Sequence, residues 1–292
     1  MITRRRNAPL FSLFFFAIII GDFPRKKEKT GRFVLLLVDL NPVAFHIGPL
    51  AVRWYGIFMA FSFLVGTWYL YTEARRKGLD EDFLLNLSIV SIIAGVVGSR
   101  LTFVAANYPE WFIRDPVQIL KIYEGGLAWH GGLFGGALAG WWYCRRKRVS
   151  FSLLADLAVP GLALGYAMIR IANIFNQEVL GRPTGFWFGR WPAQPIACAM
   201  ALFMLARYFY LQKKKLPEGY QFWSFIFYHQ LLRGAVEETI REMPLVAWGY
   251  VVPGWGLGFF TVAQLTTPLI MGLAYFMMRQ SYKRWRRKLR LA

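Results

Sequence analysis

Three arginines stand where the chain is otherwise apolar: Arg100, Arg170 and Arg233 each fall inside a long hydrophobic stretch, with His130, Asn173 and Glu237 in comparable settings. An ionised group there costs several kcal/mol unless it is paired or faces a wet cavity. Tyr166, Arg170, Asn173 and Gln177 recur at intervals of four, three and four residues, which puts them on one helical face. His229, Arg233 and Glu237 are stacked in the same way. Two chemistries fit. Arg233 and Glu237 form an internal ion pair while Asn173 and His130 join helices by hydrogen bonds, or the arginines receive an anion. A single glutamate cannot neutralise three guanidinium groups, so the surplus favours an anionic guest, and the planar guanidinium fork matches phosphate. Phosphate at that depth most simply belongs to a lipid headgroup. The imidazole of His130 can exchange a proton near neutral pH.

These groups need elements to carry them. The chain is 56% hydrophobic and only 17% charged, too apolar for an ordinary soluble domain. A membrane helix needs about 20 mostly apolar residues. Seven stretches qualify, near 54 to 73, 83 to 106, 126 to 144, 152 to 175, 194 to 212, 220 to 240 and 256 to 279. The expected fold is therefore an all-α integral membrane bundle of about seven transmembrane helices. Arg75 to Lys77, Arg145 to Arg148, Lys213 to Lys215 and Lys283 to Arg290 follow alternate spans. Positively charged loops stay on the cytoplasmic side, which predicts an outside N-terminus and a cytoplasmic C-terminus. Counted from the outer ends at ~1.5 Å per residue, the buried polar groups share one shallow layer beneath the outer face. The outer connections, around 107 to 125, 176 to 193 and 241 to 255, are rich in Trp, Tyr, Pro and Gly. Short interfacial pieces are expected there, with Trp111, Trp187 and Trp191 as anchors. Gly131 with Gly135 and Gly132 with Gly136 are small-xxx-small pairs that let helices approach closely.

A net charge of +19 would ordinarily raise nucleic acid as a partner. The basic residues sit in short runs between apolar stretches, so the bilayer is the partner and nucleic acid is discounted. Cys144 and Cys198 lie far apart, and His46, His130 and His229 share no ligand spacing; no metal is expected. The division is residues 41 to 280 as the transmembrane domain, 281 to 292 as a basic cytoplasmic tail, and 1 to 40 as an N-terminal extension. Leu10 to Gly21 is apolar but short, and the extension reads equally as a leader, an interfacial helix or an over-long start.

Several segments carry a resemblance: His46-Ile47-Gly48-Pro49 before Arg53-Trp54-Tyr55-Gly56, Gly98-Ser99-Arg100, Gly125 to Gly132 around His130, and above all Arg170 to Arg182. From about Asn41 to Arg279 the chain resembles the prolipoprotein diacylglyceryl transferase family. The resemblance implies a seven-helix bundle in the bacterial cytoplasmic (inner) membrane. It implies transfer of the diacylglyceryl group of phosphatidylglycerol to the lipobox cysteine of a preprolipoprotein signal peptide, releasing glycerol phosphate. No cofactor is implied. His130, Arg170 and Arg233 match catalytic positions; Tyr55, Arg100, Asn173, Asn176, Glu178, Gly181 and Glu237 match substrate-contacting ones, and Gln264 sits where the last span carries a glutamine. The family's His-Pro-Ser-Gln-Leu-Tyr-Glu motif stands here as Trp191 to Ala197, keeping Pro192 and Gln194, and a tyrosine one turn before the second arginine is His229. The residues alone leave open an anion transporter, or a relative that binds lipid or lipoprotein without catalysis.

Overall fold

The computed structural model describes residues 41–48, 50–121, 126 and 128–291; the expectations placed on residues 1 to 40 lie outside them. A helix occupies each of the seven expected stretches: α1 (Trp54–Arg76), α2 (Glu81–Asn107), α5 (Trp129–Lys147), α6 (Phe151–Asn176), α7 (Ala193–Gln212), α8 (Tyr220–Leu232) and α10 (Val262–Leu291), with the short α3 (Trp111–Arg114), α4 (Val117–Leu120) and α9 (Glu238–Ile240) between them. By length and composition α2, α6 and α7 are apolar enough to cross a membrane. Large apolar side chains face outward, among them Leu64, Trp68, Ile113 and Leu269. Bilayer-spanning helices present such surfaces to lipid, because their backbone polar groups are already satisfied within the helix.

The described residues form two compact units, one of residues 79–151 and the other of residues 41–78 together with 152–291. In the first, Asp80 caps α2 by accepting from the Phe83 N–H at 2.9 Å, and Glu81 and Asp82 complement the positive end of the helix dipole. Helices α2 and α5 are held together by their glycines, as the small-residue pairs predict. A Cβ on Gly98 would collide with the Gly131 carbonyl, one on Gly131 with the Gly98 carbonyl, and one on Gly135 with that of Ala94. Without side chains in the way, the backbones touch directly. Helices α3 and α4 are the short pieces expected around Trp111.

In the second unit a core of Val159, Ala163, Met204, Tyr208 and Phe225 joins α6, α7 and α8. Gly66 on α1 faces Gly161 on α6, where an added Cβ would come within 2.8 Å of the opposite Cα. The buried carboxylate of Asp156 accepts from the Gly219 and Phe222 N–H groups, each at 2.7 Å. It thus caps α8 from a neighbouring helix, satisfying N–H groups that would otherwise be orphaned.

The all-α expectation needs correcting, because two antiparallel hairpins are present: β1 (Val43–Ile47) with β2 (Leu50–Arg53), and β3 (Leu245–Val252) with β4 (Leu257–Thr261). The last span accordingly begins at Val262 rather than near 256. Val, Trp, Tyr and Phe favour pleated structure, and the Pro253-Gly254-Trp255-Gly256 turn uses positive φ at both glycines, 78° and 61°. Helix α10 also runs to Leu291, beyond the expected end of its span at 279.

Candidate functional site

Arg170 lies near the C-terminal end of α6, buried to 6% exposure, with Tyr166 one turn before it and buried Asn173 one turn after. Its guanidinium lies 4.6 Å from the centre of the Tyr166 ring, and its Nη2 donates to Glu237 Oε1 at 2.7 Å. The Tyr166 hydroxyl donates to the other Glu237 oxygen. One terminal nitrogen of the arginine and both carboxylate oxygens are therefore engaged by protein groups.

Arg233 does not pair with Glu237. The chain leaves α8 through a π-helical turn, Arg233–Glu237, closed by the Glu238 N–H donating to the Arg233 carbonyl. A π turn inserts one residue and rotates the chain beyond it, a device that recurs at functional sites. Here it brings Arg233 Nε to Glu238 Oε1 at 3.2 Å and leaves Glu237 facing Arg170. Arg241 then reaches back to both carboxylates, at 2.9 Å to Glu237 and 3.0 Å to Glu238. Thr261 completes Glu238 with a hydroxyl bond of 3.1 Å.

Three guanidinium groups thus share two carboxylates, both almost fully buried, which leaves one positive charge uncompensated within the cluster. Arg233 is its accessible member, with a side chain 34% exposed against 8% for Arg170 and 7% for Arg241. The Arg170 Nε is buried with no hydrogen-bond partner among the described residues. Burial pushes the Arg241 guanidinium below its ordinary value, and Glu237 and Glu238 oppose that shift. Arg182 is lowered by burial in the same sense, against the pull of Glu242 and Glu238.

Gln264 supports the turn. Thr261-Val262-Ala263-Gln264 forms a capping box at the start of α10: the Thr261 N–H donates to Gln264 Oε1 at 3.0 Å, and the Gln264 N–H to Thr261 Oγ1 at 3.1 Å. The Gln264 amide nitrogen also donates to the Gly234 carbonyl and the Thr239 hydroxyl, each at 3.1 Å. Gly234 admits no side chain, since a Cβ would sit 2.8 Å from Thr267 Oγ1.

The segment after Arg170 is anchored beside this cluster. Gly181 pairs with Arg241 in an antiparallel bridge, the Arg182 N–H donates to the Ile240 carbonyl at 2.7 Å, and the Glu242 N–H to that of Leu180 at 2.9 Å. A Cβ on Gly181 would strike the Trp191 carbonyl. Gln177 and Val179 adopt left-handed backbone, φ 54° and 55°, a costly conformation for a β-branched residue. Gln194 holds it there, donating to the carbonyls of Glu178 at 3.0 Å and Val179 at 2.6 Å. The retained glutamine of the altered motif is thus a clamp on the Arg170 to Arg182 segment.

Among the remaining expected residues, Tyr55 is half-buried and within electrostatic reach of Arg170 and Glu178. Asn176 approaches exposed Glu178 at 3.5 Å. His229 packs edge-on against Tyr166, ring centres 4.9 Å apart, while Tyr228 lies under Arg207. Arg100 and His130 belong to the other unit. Arg100 donates to the backbone carbonyls of Gln118, Ile119 and Gly126 at 2.7, 3.0 and 3.2 Å, and His130 is exposed on the first turn of α5. Sequence reasoning missed Glu238, Arg241 and Thr261; the density of charge between Arg233 and Glu242 signalled the first two, and the Thr-x-x-Gln spacing of Thr261 and Gln264 the third. No group of His, Cys, Asp and Glu suited to a metal occurs among the described residues.

The fold and the cluster define a helical membrane protein whose polar centre is built around surplus guanidinium charge. A family model described as prolipoprotein diacylglyceryl transferase matches residues 42–279, and the chain belongs to that family of membrane enzymes. It is 61% identical over 246 residues to phosphatidylglycerol--prolipoprotein diacylglyceryl transferase of Thermoanaerobacter sp., covering 84% of this chain and 96% of the relative. The like-named protein of Caldanaerobacter subterraneus is 60% identical over 242 residues, 83% and 94% of the two chains. That of Thermus thermophilus is 30% identical over 273 residues, 80% and 96%.

Proposed function

We propose that this chain transfers the diacylglyceryl group of phosphatidylglycerol to the lipobox cysteine thiol of a preprolipoprotein. The thiolate sulfur attacks the glyceryl carbon that carries the phosphate ester. A carbon–sulfur bond forms as the carbon–oxygen bond breaks, and the electron pair leaves on oxygen as glycerol phosphate. The phosphate gains one negative charge in this step, and preorganised cations placed where charge develops lower the barrier. The observation that carries the reading is the excess guanidinium charge of Arg170, Arg233 and Arg241 over Glu237 and Glu238, with Arg233 exposed enough to meet a ligand.

Arg170 and Arg233 hold the phosphate, and Glu237 fixes Arg170. Tyr55, Asn173, Asn176, Glu178 and Gly181 shape the surroundings of the headgroup. His130 is assigned removal of the thiol proton, and Arg100 a substrate-side role, on the family resemblance alone. The seven-span topology, with the C-terminus in the cytoplasm, rests on the one-sided distribution of Lys and Arg. Placement in the bacterial inner membrane follows from the substrates, and the division into an extension of residues 1 to 40, a membrane domain of residues 41 to 280 and a basic tail of residues 281 to 292 rests on the pattern of apolar stretches and basic runs.

Purified protein incubated with phosphatidylglycerol and a lipobox peptide should add a diacylglyceryl mass to the cysteine. An unmodified peptide in lipid known to be accessible to the protein would defeat the proposal. His130→Gln separates the two roles open to that residue: lost turnover with lipid binding intact supports a base, and near-normal turnover removes it.

A further inference from the structure

The opposite end of the α8–α10 pair carries a second cationic feature, remote from the arginine cluster. A groove of about 450 Å³ is lined by Tyr220 at the start of α8 and, on α10, by Tyr275, Met278, Arg279, Tyr282, Lys283 and Arg286. The α10 residues follow one another at alternating intervals of three and one, so they form one helical face. Arg279, Lys283 and Arg286 are exposed, and α10 contains no Asp or Glu from Val262 to Leu291 to offset them. On the adjoining connection, Lys213 to Gly219, Glu218 is the single acid against three lysines. The tyrosines give the groove aromatic walls: the Tyr220 and Tyr282 rings meet edge-on at 5.1 Å, and Arg279 lies 5.5 Å from the Tyr275 ring.

Depth identifies the guest. Arg279 and Lys283 lie 15 and 19 residues beyond Gln264, which belongs to the arginine cluster. At ~1.5 Å per residue that is roughly 22 to 29 Å along the helix, comparable with the ~30 Å thickness of a hydrocarbon core. A phosphate held here therefore belongs to the leaflet opposite the one served by Arg170 and Arg233. A run of basic residues past a membrane helix commonly serves only as an anchor. An anchor needs no cavity, whereas this face combines three cations, three phenol rings and a recess. Basic pockets beside membrane helices bind anionic headgroups.

We infer that the Tyr220, Arg279, Tyr282, Lys283 and Arg286 groove is a binding site for the headgroup of an anionic phospholipid in the leaflet opposite the reaction centre. The lipid is a bound companion, not a substrate. Tetraoleoyl cardiolipin titrated onto the purified full chain, with bound lipids counted by native mass spectrometry, tests this. R279Q/K283Q/R286Q should weaken one bound equivalent on the order of 100-fold, at a factor of about five per cation. R284Q/R287Q/K288Q removes equal charge outside the groove lining and should bind within threefold of the parent. Equal weakening by both sets, no weakening by the first, or dioleoyl phosphatidylcholine held as tightly as cardiolipin would overturn the assignment. Unaltered protein gives an independent reading in phosphatidylcholine vesicles doped with headgroup-photoreactive phosphatidylglycerol. Crosslinks are expected on the segment 275–286, and their absence there overturns the site.

Discussion

Replacing Arg233 by lysine keeps the charge and removes the fork. In the cluster, Arg233 uses its Nε to reach Glu238 at 3.2 Å, and a third of its side chain remains exposed. Among the described residues the two terminal nitrogens of the guanidinium make no hydrogen bond, so they can address a ligand while Nε keeps the group aimed. A lysine ammonium is one compact centre: it stays with Glu238 or moves to the phosphate, and does each less well. One charge-assisted hydrogen bond is lost in the transition state. Such a bond is worth about 1.5–3 kcal/mol, and solvent screening of a partly exposed group favours the lower half of that range. Taking about 1.5–2 kcal/mol, at 1.36 kcal/mol per tenfold, kcat/KM should fall roughly 10- to 30-fold. The assay is diacylglyceryl transfer to a fluorescent lipobox peptide in phosphatidylglycerol micelles, with kcat and KM determined separately. Arg233→Met, which also deletes the charge, should fall further. If Arg233→Lys retains kcat/KM within threefold of the parent, the division of the guanidinium between Glu238 and phosphate is wrong.

Gln194→Leu removes both side-chain donors from the Glu178 and Val179 carbonyls; at about 1 kcal/mol for each lost bond, limited proteolysis should become faster within residues 177–192, and an unchanged cleavage pattern would show that the clamp is dispensable. Gly181→Ala forces a methyl against the Trp191 carbonyl and should cut transfer activity at least tenfold, because the same backbone bridges to Arg241; parental activity would mean that the loop relaxes without disturbing the cluster. Gly98→Leu cannot fit against the Gly131 backbone and should lower the melting temperature of the detergent-solubilised protein by several degrees, whereas an unaltered transition would contradict direct backbone contact between α2 and α5.

Much of this site is legible before any coordinates, because helical periodicity is local. Intervals of three and four residues suffice to put Tyr166, Arg170 and Asn173 on one face, and the glycine spacing on α5 suffices to anticipate close packing. The Thr261 to Gln264 capping box is equally local, being an S/T-x-x-E/Q spacing satisfied within one turn. The alternation of aromatic and β-branched residues in β3 is local too, but by composition the segment reads as an interfacial loop. Its strand character depends on a partner strand that periodicity within one segment does not supply.

From the sequence alone come the apolar stretches, the basic clusters that follow alternate stretches and the excess of arginine over acid within them, since each depends only on residue type and order. Tertiary structure alone decides which charge meets which. Regular helical spacing assigns Arg233 to Glu237, yet one π turn gives Arg233 to Glu238, delivers Glu237 to Arg170 and recruits Arg241 to both. That extra residue leaves no mark in the hydropathy pattern. It is accommodated by Gly234 packing on Thr267 and by Gln264 bonding to the Gly234 carbonyl, contacts that exist only once α10 has folded back against α8.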